Sequence, residues 1–121
     1  MPLRGLLQEL VVYVSGPMTG LPEYNYPNFM RVEKQLLDLG LGIDVINPAH
    51  TGVQEGWVWQ DYMKHDLKLL LDKPVNVLIL LEGWESSRGA RLEKLVADEL
   101  GVLVLTEKEF FESVIIQHTF T

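Results

Sequence analysis

The sequence contains no cysteine. Disulfides, a thiol nucleophile and thiolate-bound metal are thereby excluded. No run of eighteen apolar residues occurs, so no membrane span is expected. Basic residues are in the minority, ten Lys and Arg against seventeen Asp and Glu, for a formal net charge of −7. Affinity for duplex nucleic acid comes largely from Lys and Arg on phosphates, so a duplex partner is not expected. A small phosphorylated ligand needs only a few local donors and stays open. His50, His65 and His118 show no ligand spacing, and no Asp/Glu repeat marks a calcium loop, so no metal is expected. A G-x-S-x-G nucleophile elbow, a G-x-G-x-x-G fingerprint and a P-loop are also missing. The opening stretch MPLRGLLQEL has one Arg, and its apolar patch is interrupted by Gln8 and Glu9. It makes a poor secretory signal, and a cytoplasmic location is expected.

What is present is the composition of one globular domain, residues 1–121, with 47% hydrophobic and 22% charged residues. Four apolar runs read as strands: Leu10–Val14, Ile43–Ile46, Val75–Leu81 and Val102–Leu105. Between them lie helical patterns. One opens near Pro27 and stops at Gly40. A second covers Trp57–Leu71 and ends before Pro74. A third opens at Gly89-Ala90 and stops at Gly101. Thr106 caps a last helix, and the tail from Gln117 is expected to fray. This alternation predicts an α/β fold: a three-layer, doubly wound parallel sheet of the flavodoxin/Rossmann-like kind. Four to five strands in the order 2-1-3-4 are expected. The switch point then falls between the first and third strands, where ligands of such sheets bind. The loops Ser15–Gly20 and Glu82–Gly89 are therefore expected to be neighbours.

Those loops carry the candidate chemistry. The stretch Val75–Glu93, VNVLILLEGWESSRGARLE, passes from buried strand to polar loop to helix. Glu93 lies early in that helix and can face back over the strand end, where a carboxylate suits glycosyl transfer. Ser87 and Gly89 at the helix start suit a phosphate. Ser15, Gly16, Pro17 and Met18 form a turn with free backbone N–H groups, which is either a ligand loop or a plain connection. Asp66 shares a helix face with Tyr62 and Leu70; it points either into the crevice or into water beside Lys64 or Lys68. His65 is its neighbour, but adjacent helical residues diverge by about a hundred degrees, so the two are not expected to act together. Glu93 has a bland reading too, as a surface acid near Arg91 and Lys94. Trp57 reads as core. Gly83 and Trp84 sit in the site loop, where Trp84 either covers a base or packs.

Three segments together carry a resemblance: VYVSGP at the first strand, HDLKLL before the third, and SSRGARLE after it. In order and spacing they resemble the nucleoside 2-deoxyribosyltransferase-like superfamily, from Val11 to about Leu105. That superfamily includes deoxyribosyltransferases, 2'-deoxynucleoside 5'-monophosphate N-hydrolases, and small bacterial and bacteriophage proteins. The resemblance implies cleavage or transfer of an N-glycosidic bond in a nucleoside or its 5'-monophosphate. Glu93 matches the nucleophile that attacks C1', Asp66 the helix Asp that handles base or sugar, and Tyr13 a first-strand Tyr. Ser87 matches the Ser that the monophosphate hydrolases place near phosphate. No metal or organic cofactor is implied. The alternative is a non-catalytic nucleotide-binding module or an interaction protein on the same fold. Trp57, Trp59, Tyr62 and Met63 offer more apolar surface than one helix face needs, so a homo-oligomer is expected, at least a dimer.

Overall fold

The computed structural model describes residues 10–120, the last five as backbone alone. Residues 1–9, nearly all of the stretch weighed above as a signal, lie outside that range. Strand β1 (Val11–Ser15) leads to helix α1 (Tyr26–Asp38), then β2 (Asp44–Ile46), α2 (Trp59–Asp72), β3 (Val77–Leu80), α3 (Arg88–Glu99), β4 (Leu103–Thr106) and α4 (Glu107–Phe120). All four strands are parallel, in the order β2-β1-β3-β4. The fold class and strand order are those the alternation predicts. The last helix continues to Phe120, past the expected fraying point at Gln117.

Strand periodicity splits the core in two. Val12, Val14, Val77, Ile79 and Leu81 face one way and meet Phe29, Val32 and Leu36 of α1 and Phe110 and Val114 of α4. Tyr13, Leu78 and Leu80 face the other way and meet Leu70 of α2 and Ala97 of α3. The two central strands are thus apolar on both faces, as a covered parallel sheet requires. Ser15 is the exception. It follows Tyr13 by two residues, so its polar side chain points toward the α2–α3 layer at the carboxyl end of the sheet.

Two local features differ from the sequence reading. The connection after β1 is not plain loop: Pro22–Asn25 forms a short 3-10 turn, and Glu23, Tyr24 and Asn25 have φ of 52°, 53° and 60°. Left-handed backbone costs about 1–2 kcal/mol for each L-residue, so the turn needs anchoring. Asn25 Nδ2 supplies it by donating to the Pro17 carbonyl at 2.9 Å. Helix α2 begins two residues later than its apolar pattern suggests. Asp61 reaches back to accept from the Val58 N–H at 2.9 Å, which fixes the start there.

Candidate active site

The two loops at the switch point do meet. Leu81 N–H donates to the Ser15 carbonyl at 2.8 Å, continuing the β1–β3 ladder into the loops. Just beyond, the chain at Gly16 passes so close to β3 that a Cβ there would stand 2.7 Å from Leu81 Cβ. Only glycine fits that approach. Gly83, with φ of 87°, then turns the second loop across Pro17.

Glu93 lies beneath this junction. The α3 N-cap is Ser87, whose Oγ accepts from the Ala90 N–H at 3.2 Å. Glu93 follows within the next two turns on the sheet-facing side and is 5% exposed. The Tyr13 hydroxyl donates to its Oε2. The Ser15 hydroxyl donates to its Oε1 at 2.7 Å. The surface-acid reading of Glu93 is therefore overturned; Lys94, its neighbour in sequence, pairs with Asp98 instead. Burial pushes the Glu93 carboxyl up to about 7. The Tyr13 hydrogen bond opposes that rise, the charge of Asp66 adds to it, and the Ser15 hydrogen bond opposes it. Tyr13 itself is pushed well above the ordinary tyrosine range, by burial first and then by Glu93, so it stays a proton donor.

Glu93 and Asp66 line one cavity of about 940 Å³. Burial pushes Asp66 up to about 6, against the lowering effect of His65. His65 Nδ1 lies 3.4 Å from Asp66 Oδ1. The expectation that these two helix neighbours stand apart is thus corrected. The His65 ring also packs on Trp57, with centroids 5.6 Å apart.

Gly16, Pro17, Met18, Gly83, Ser87 and Gly89 line the cavity as expected. Three other expectations are corrected. Tyr13 and Ser15 are 0% and 1% exposed and lie behind Glu93, outside the cavity lining. Their strand side chains enter the space between sheet and α3, which Glu93 fills. Trp84 follows the turn at Gly83, packs on the Tyr13–Leu80 side of the core, and lines a neighbouring cleft of about 680 Å³. It does not cover the cavity that holds Glu93.

The structure adds residues that the sequence reading missed. Trp57, expected in the core, lines the cavity with Trp59, Tyr62 and Met63. These are the side chains read from sequence as surplus oligomer surface. Arg88 also lines the cavity and holds its guanidinium 3.8 Å from the Trp59 ring centre. Among the described residues it is the one Lys or Arg in that lining. The available signal was its position: Arg88 is the only basic residue within the Glu82–Gly89 loop.

Among the described residues no group of three His, Asp or Glu side chains converges as metal ligands, and no helix is long and apolar enough to cross a membrane. No curated protein and no solved structure shows a significant match to the chain. A family model described as a domain of unknown function, DUF4406, matches residues 10–106. That match spans both loops, Asp66 and Glu93, and the chain belongs to this family.

Proposed function

We propose that this protein cleaves or transfers the N-glycosidic bond of a (deoxy)nucleoside or its 5'-monophosphate. The observation that carries the reading is Glu93: a buried carboxylate, held at both oxygens, opening on a cavity that also contains Asp66. The order and spacing of VYVSGP, HDLKLL and SSRGARLE, which resemble the nucleoside 2-deoxyribosyltransferase-like superfamily, support it.

In this reading Glu93 attacks C1' as the bond to the base breaks, and the developing oxocarbenium charge is met by its carboxylate. The Glu93–C1' bond forms while the C1'–N bond breaks, and the electron pair leaves with the base. Asp66, in its protonated form, donates to that base. Water, or a second base, then bonds to C1' as the Glu93–C1' bond breaks, and the proton it sheds returns to the Asp66 carboxylate. The aromatic walls Trp57, Tyr62 and Tyr26 suit stacking on a base. Ser87, Gly89 and the N-terminus of α3, with Arg88 beside them, suit a 5'-phosphate.

The test is incubation with a panel of deoxynucleosides and their 5'-monophosphates, with and without an acceptor base, followed by chromatography for free or exchanged base. Release or exchange by wild type, and its fall by about a hundredfold in Glu93→Gln, is expected; that corresponds to roughly 3 kcal/mol of barrier. Glu93→Gln working at the wild-type rate would remove the nucleophile. Binding without release would instead indicate a nucleotide-binding module.

A further inference from the structure

We propose that Ser15 is a positioning residue for Glu93: its hydroxyl fixes one carboxylate oxygen while Tyr13 fixes the other, so that the carboxylate meets the cavity in a single orientation. The catalytic consequence rests on the function proposed above; the clamp itself does not.

The geometry begins with the strand. Residues two apart on β1 share a side, so Tyr13 and Ser15 present two hydroxyls of different reach toward the same helix. Tyr13 delivers its donor to Oε2 from the end of a long ring, and Ser15 delivers its donor to Oε1 at 2.7 Å from a single carbon. That distance is normal for a hydroxyl on an ionised carboxylate. The backbone at Ser15 is itself fixed, since its carbonyl accepts from Leu81 N–H at 2.8 Å. Ser15 is 1% exposed, so it does not reach a ligand directly. The hydroxyl therefore acts on Glu93, in contrast to Ser87, which lines the cavity.

A carboxylate offers about four acceptor positions, and two hydroxyl donors leave the others for the cavity side. Without Ser15 one oxygen loses its donor. The side chain then gains a torsional freedom, and its charge loses part of what offsets burial. The groups that face Glu93 are few. Tyr13 and Ser15 come from β1, Asp66 from α2, and Glu82 lines the same cavity from the loop after β3. On α3 itself, Arg88 lies over Trp59 and Lys94 pairs with Asp98.

The experiment is a pH titration of the Glu93 side-chain carbonyl by carbon NMR in substrate-free full-length protein. Wild type, Ser15→Ala and Ser15→Cys are compared. Loss of the donor moves the midpoint up by about one pH unit in Ser15→Ala, and the weaker thiol donor gives a smaller rise in Ser15→Cys. Base release then falls about fivefold to tenfold at its optimum, and the optimum moves to higher pH, while KM changes little. A midpoint that stays or falls in the variants overturns the proposal. If Ser15→Ala does not fold, Ser15→Cys decides the matter by the same criterion. The titration needs no turnover, so the two proposals fail separately. A shifted midpoint in a protein that releases no base leaves the clamp and removes the glycosidase. Base release with an unshifted midpoint does the reverse.

Discussion

The Tyr13 hydroxyl donates to Glu93 Oε2 across eighty residues of sequence. Both groups are almost fully buried, and the Tyr13 ring is part of the core on the α2–α3 side. An apolar pair in their place would pack without any cost of desolvation. A tyrosine and a carboxylate held together behind a cavity are instead a local departure from stable design, as expected of a functional site.

That departure predicts a pH dependence of stability. The folded protein raises Glu93 from 4.5 to about 7 and Asp66 from 3.8 to about 6. A folded state that holds these protons more tightly loses stability as pH rises from the unfolded values through the folded ones. The contribution of this pair is therefore most favourable below about pH 4 and is lost by about pH 7. The loss for Glu93 is on the order of 3 kcal/mol. Glu93→Gln, which has no charge to bury, should melt several degrees higher than wild type at pH 8 and close to it at pH 5. Scanning calorimetry at both values checks this. A variant that melts lower than wild type at pH 8 would show that the ionised carboxylate stabilises the fold.

Much of the fold was legible in the sequence, because periodicity and punctuation agree. Val77–Leu80 is apolar on both faces, Gly101 and Pro74 end helices, and parallel strands need the helices between them. The placement of Glu93 was legible because it lies early in the helix that follows Val77–Leu80, where a side chain can face back over the strand end. Other features depend on contacts between distant segments. Trp84 follows the positive-φ turn at Gly83, which lies against Pro17 of the other loop, and where that turn sends the ring depends on packing that the local sequence does not state. His65 meets Asp66 through a side-chain orientation that the angular spacing of helix neighbours alone cannot indicate. The left-handed run Glu23–Asn25 rests on an anchor to Pro17, again from outside the turn.

Arg88 and Ser87 predict ligand selectivity. Arg88 is the cationic side chain in the described cavity lining, and it sits at the N-terminus of α3. Arg88→Ala should raise KM for 5'-monophosphates about tenfold, the loss of one charged hydrogen bond of roughly 1.5 kcal/mol, and leave unphosphorylated nucleosides nearly unchanged. Ser87→Ala should show the same preference, with an additional loss of about 1 kcal/mol in stability from the missing cap. Equal effects on both ligand classes would place the phosphate elsewhere.

Oligomeric state gives a third prediction, on a changed basis. The rings first read as surplus surface line the cavity. What remains exposed at its rim is Leu21 at 40%, Tyr24 at 50% and Val53 at 68%. Together with the resemblance, in which a neighbouring subunit often completes the site, this rim predicts a homodimer or larger assembly that covers it. Sedimentation at micromolar concentration should show it, and Tyr24→Asp or Val53→Asp should shift it toward monomer. A wild-type monomer under those conditions would count against the prediction.

The last prediction concerns the rate of base release against pH. Two carboxyl groups share the cavity, and the proposed chemistry needs Glu93 ionised and Asp66 protonated. Below about 6 both hold protons, so the nucleophile is blocked; above about 7 both are ionised, so the acid is spent. Between those values the pair carries one proton. The competent arrangement is the one that leaves this proton on Asp66. The rate should therefore follow a bell with its maximum between about 6 and about 7. Asp66→Asn removes the acid and should abolish the alkaline limb, leaving a lower rate that rises to a plateau as Glu93 ionises. Substrates whose base leaves without protonation should lose least in that variant. A wild-type rate that climbs steadily to pH 9 would show that Asp66 donates no proton, and would leave Glu93 to work with solvent alone.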